Sequence, residues 1–126
     1  MASLVLTGCS TALAPAGSGA IGRHITASYR VRSLSAELPP HVKPIAFIAA
    51  MESVVLNRGY AMTRADHNAD ESRLWAKPPN PDDFERVSVL AALSPSGTRI
   101  EIIVEPFGGE VLARSLLDGA LVRLGL

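Results

Sequence analysis

The segment "ERVSVLAALSPSGTRIEIIVE", residues 85–105, decides the fold. In its first half Val87, Val89, Ala91 and Leu93 fall on alternate positions, so they share one side of an extended chain. In its second half Ile100, Ile102 and Val104 do the same, with Arg99, Glu101 and Glu105 opposed. A four-residue turn, "SPSG", joins the two runs. The pattern predicts a β-hairpin with one apolar face. Such a face must be covered, and the flanking sequence supplies the cover.

Upstream lies "LPPHVKPIAFIAAMESVVLNRGY". Its prolines at 39, 40 and 44 suit a lead-in or a first helical turn, where a missing N–H costs little. From Ile45 to Arg58 the spacing predicts a helix with Ile48, Met51 and Val55 on one stripe, widened by Phe47 and Val54. Arg58 and Gly59 place a cation and a residue tolerant of positive φ at its end. Downstream, "PFGGEVLARSLLDGALVRLGL" breaks the strand at Pro106 and starts a second helix with Glu110 in its first turn. Leu112, Leu116, Leu117, Ala120, Leu121 and Leu124 form its apolar stripe. Gly119 weakens that helix by roughly 1 kcal/mol relative to alanine, which suits a close backbone approach.

Ahead of the first helix, "HITASYRV" alternates, with Ile25, Ala27, Tyr29 and Val31 on one side. "YAMTR" and "SRLWAK" read as two short strands separated by the polar "ADHNADE", and "PPNPDD" as a loop. The order is thus β-α-β-β-β-β-α. The fold class is α+β: two layers, a mostly antiparallel sheet with two helices packed on one face. Residues 10–23, "STALAPAGSGAIGR", read as a flexible linker, which divides the chain into a start and tether at 1–23 and a single α+β domain at 24–126.

Composition narrows the function. The 126 residues carry twelve basic and twelve acidic side chains, so no global field draws the chain to nucleic acid. A single cysteine makes no internal disulfide, and no apolar run is long enough for a transmembrane helix. "GSGAIG" fits a dinucleotide-binding glycine pattern at Gly17, Gly19 and Gly22, but no strand precedes it and no helix follows. Asp66, Asn68 and Asp70 open like a calcium loop, yet Glu71 stands where glycine is needed and Lys77 where an acid is needed. His24, His41 and His67 have no ligand spacing, Asp82–Asp83 sit in a proline-rich loop, and no serine lies in a nucleophile motif. The sequence shows no catalytic set and calls for no cofactor or metal.

The start of the chain, "LVLTGC", carries a different signal. Leu4, Val5 and Leu6 precede Thr7, Gly8 and Cys9. This resembles the lipobox of bacterial lipoproteins, in which the cysteine is acylated and heads the mature chain. Eight residues precede Cys9 and none of them is basic, a departure from the full precursor pattern. A second likeness spans Tyr29 to Leu126. "Leu56–x–x–Gly59–Tyr60" after the first helix, and "PFGGEVLARSLL" with Phe107, Gly108, Glu110, Leu112, Leu116 and Leu117, resemble a group of small bacterial envelope lipoproteins of unknown function. Gly109 departs from the acid usual there and Ala113 from the serine.

The resemblance implies an envelope address, facing the periplasm, with the membrane reached through a lipid on Cys9. It implies no reaction. The reading that follows is a binding or scaffolding domain, not an enzyme, with an envelope protein as partner. Its working surface would be the polar sheet face or the loops of 66–83. The alternative is a carrier of a small apolar ligand, with a pocket between the first helix and the sheet lined by Phe47, Met51 and Trp75.

Overall fold

The computed structural model describes residues 18–21, 25–68, 70–80, 85–106 and 108–126, with side chains from Ile25 onward. The described elements are, in chain order, β1 (Ser18–Ile21), β2 (Ile25–Arg30), β3 (Ser33–Leu38), α1 (Pro44–Asn57), β4 (Ala61–His67), β5 (Glu71–Lys77), β6 (Arg86–Ser94), β7 (Gly97–Glu105) and α2 (Glu110–Arg123). The strands form one sheet in the order β1-β2-β3-β7-β6-β5-β4, and every neighbouring pair is antiparallel. Helix α1 lies over β4, β5 and β6, and α2 over β3 and β7. Both helices therefore cover the same face, and the molecule is the expected two-layer α+β fold.

The hairpin is the heart of it. Ser94 pairs with Gly97 and Arg86 with Glu105, so the turn is two residues, Pro95 and Ser96, rather than four. Gly97 adopts φ +155, and a Cβ there would meet the Leu38 carbonyl oxygen at 2.0 Å. Only glycine fits. Val87, Val89, Ala91, Ile100, Ile102 and Val104 are all buried, as the alternation predicts. Leu93 is the exception at 46% exposure, although Thr98 opposite it is buried.

The helices meet their expected boundaries within a residue. Pro44 stands at the first helical position of α1. Gly59 takes φ +84 beyond its end, and the Tyr60 N–H closes on the Val55 carbonyl at 2.9 Å. The stripe Phe47, Ile48, Met51, Val54 and Val55 is buried. On α2, Leu116, Leu117, Ala120 and Leu121 are buried, and Glu110 pairs with Arg114 one turn on at 2.9 Å. A Cβ on Gly119 would stand 3.2 Å from a Val54 methyl, so this glycine does allow α1 and α2 to approach closely.

Four further expectations are corrected. Residues 33–38, to which the sequence pattern assigns no element ahead of the proline lead-in, form β3, an interior strand between β2 and β7. Leu34, Ala36 and Leu38 give it a buried face, and the order becomes β-β-β-α-β-β-β-β-α. Within the stretch read as slack linker, Ser18–Ile21 pairs with β2 as an edge strand. Val31 does not continue the face of Ile25 and Ala27; it occupies the β2–β3 turn at φ 58 and is 88% exposed. The polar "ADHNADE" is mostly strand as well, since β4 runs to His67 and β5 starts at Glu71.

Candidate functional site: the open face of the sheet

Covering one face of the sheet leaves the other open. Strand pairing fixes what stands on it, because residues opposite one another in adjacent strands project to the same side. Across β2, β3, β7, β6, β5 and β4, one outward row is Ser28, Ser35, Glu101, Leu90, Arg73 and Asp66. The next is Arg30, Ser33, Ile103, Ser88, Trp75 and Arg64. Outside these rows lie Glu37, Arg99, Ala92 and Glu71 at one end of the strands. Glu105, Arg86 and Lys77 lie at the other end.

Near the centre of this face Leu90 stands directly opposite Glu101 on β7 and Arg73 on β5. Leu90 is flanked diagonally by Ile103 and Trp75 and followed on its own strand by Ala92, and all four are partly buried. Around them the charges alternate in sign. The Arg64 guanidinium stacks over the Trp75 ring, 4.9 Å from its centroid, and also reaches Asp66 at 3.1 Å. Arg73 reaches Glu71 at 3.5 Å. Hydroxyls hold two acids in place: Ser33 donates to Glu101 at 2.7 Å, and Ser94 and Ser96 both donate to Glu37, the latter at 3.0 Å. The face thus carries four partly buried apolar side chains interspersed with charges of both signs.

The carrier pocket does not assemble. Phe47 and Met51 are fully buried in the core between α1 and the sheet. Trp75 stands on the opposite face, because β5 alternates and its neighbours Leu74 and Ala76 take the inward positions. The chain does form a wide groove of about 430 Å³ elsewhere, between the C-terminal ends of α1 and α2, lined by Val54, Asn57, Arg58, Gly119, Val122 and Arg123. Its arginines sit where two helices present their negative ends, and Arg58 donates to the Ser115 carbonyl at 3.2 Å.

The remaining sequence candidates disperse. His41 and His67 are exposed; Asp66 is a strand residue of β4 opposite Arg73, and beyond it the Asp70 N–H donates to Asn68 Oδ1 at 3.0 Å. Among the described residues no three His, Cys, Asp or Glu gather as a metal site. No described helix is long and apolar enough to cross a membrane. Cys9, Gly17, Gly22, His24, Asp82, Asp83 and Phe107 lie outside the described residues. No family model matches the chain, and a search of curated proteins finds no relative.

One signal for the open face is present in the sequence. "VLAAL" at 89–93 and "IIV" at 102–104 are unbroken apolar runs, not strict alternations. A strand apolar on both sides is one whose second face also meets something.

Proposed function

We propose that this chain is a binding or scaffolding domain of the bacterial cell envelope, held at the membrane by a lipid on Cys9, facing the periplasm, and acting through the open face of its sheet. The observation that carries the reading is the one-sided architecture: two helices seal one face, while the other offers Leu90, Ile103, Trp75 and Ala92 among charges of both signs. Binding on this scale needs no cleft, and an unwalled surface suits a macromolecular partner better than a small molecule. The envelope address rests on "LVLTGC" and on the run of small residues after it.

The two halves of the reading are tested separately. Expressed in a bacterial host with labelled fatty acid, the wild-type chain is expected to take up label and Cys9→Ser to take up none; an unlabelled wild type removes the anchor. A photo-crosslinking residue at position 90 is expected to capture protein in intact envelopes, whereas one at exposed Ala49 on the outside of α1 captures none. Equal behaviour at the two positions removes the open face as the working surface.

A further inference from the structure

The charge pattern of the open face is self-complementary, and that property selects an occupant. Consider a two-fold axis lying in the plane of contact and running across the strands, between the row of Leu90 and the row of Ile103. It lays each strand over the reversed copy of itself. On β7, Arg99 then faces Glu105; on β5, Glu71 faces Lys77 and Arg73 faces Trp75; on β4, Asp66 faces Arg64. Each of these ionic pairings is of opposite sign, and the fourth sets a guanidinium against an aromatic ring. Leu90 falls beside the axis facing Ser88, and Ile103 faces Glu101. An axis along the strands instead sets Glu37 against Glu71 and Arg30 against Arg64, two like-sign pairs against the one opposite-sign pair Arg86–Glu105, so the axis across the strands is the better matched.

We propose that the open face binds a second copy of this chain, forming a symmetric dimer in which the two sheets stack face to face with the helices outward. The proposal rests on the reading of this face as the working surface, and it names the partner. Size permits it. Six strands about 4.8 Å apart, with about seven residues each, give a flat footprint of roughly 550 Å², which corrugated side chains raise toward the ~800 Å² per partner of a standard interface. Among the described residues Arg99 and Glu105 make no ion pair within the chain, which leaves them for the contact. Stacked sheets pack about 10 Å apart, close enough for Leu90, Ile103 and Trp75 to be desolvated by their counterparts.

The test is sedimentation equilibrium on the full chain carrying Cys9→Ser, which removes acylation and any intermolecular disulfide. A dimer is expected at about 0.1 mM, where a Kd of about 1 µM leaves roughly nine-tenths of the chains paired. Leu90→Arg is expected to give a folded monomer. Arg99→Glu places two acids in opposition on each side of the axis and is expected to weaken pairing about tenfold or more. The double variant Arg99→Glu, Glu105→Arg restores opposite signs and is expected to recover pairing to within a few-fold of wild type. A monomeric wild type, or a double variant no better than the single one, overturns the proposal. If that monomer is still crosslinked through position 90 to a different envelope protein, the working surface survives without self-pairing; if position 90 captures nothing, both fall.

Discussion

Tyr29 shows how one side chain ties distant parts of the chain together. It stands on the inward side of β2, and its hydroxyl oxygen accepts the Gly109 N–H at 3.0 Å, at the start of α2. The first amides of a helix have no partner within it, so this phenol supplies a cap that no residue at Gly109 supplies. The same hydroxyl explains the adjacent Gly108, where φ is +83 and a Cβ would lie 2.7 Å from it. Tyr29→Phe keeps the ring and removes only the acceptor. It is expected to lower stability by about 1 kcal/mol in urea denaturation, the cost of leaving a partly buried amide unpaired. No measurable change means that water replaces the hydroxyl.

At the scale of the element, β7 presents two surfaces that differ in their burial. Ile102 is fully buried beneath the helices, whereas Ile103, one residue on, faces outward among Ser88, Ser33 and Leu90. Ile102→Ala is expected to cost about 3 kcal/mol, within the range for large-to-small core changes, and Ile103→Ala less than about 1 kcal/mol in the monomer. Equal losses in a Leu90→Arg background mean that the open face is not open. The same alternation determines what the sequence reveals. The hairpin and both helices are legible because their apolar residues repeat at the strand or helix period over nine or more positions. β3 carries a clean alternation of Leu34, Ala36 and Leu38, but in only six residues and directly before Pro39–Pro40, where it blends into a lead-in. β4 lies at the edge and is mostly exposed, so no period marks it. Trp75 is misplaced by composition alone, since an aromatic residue belongs to a core or to an interface with equal ease, and only the register of β5 decides.

For the whole molecule, the sheet offers a partner two routes, its edge or its face. The β4 edge is poorly suited to pairing: it is irregular between Met62 and Arg64 and carries Arg64, Asp66 and His67, features that discourage strand addition. The face instead carries the partly buried Leu90, Ile103 and Trp75 among charges of both signs. These routes differ in what they protect, because edge addition hydrogen-bonds backbone amides while face stacking covers side chains and leaves the ladder unchanged. Stability also varies across the sheet: β3, β7 and β6 lie between paired neighbours under the helical layer, whereas β4 has a neighbour on one side only. Native-state hydrogen exchange is therefore expected to be slowest at Leu34, Val89, Ile100 and Ile102 and fastest among the strands at the two edges, 18–21 and 61–67. Raising the protein concentration through the dimer transition is expected to slow the central strands further while the outer amides of β4 stay fast. Protection of β4 that appears with concentration, with no change in β7, means that the chain associates edge to edge and that Leu90, Ile103 and Trp75 meet some other partner.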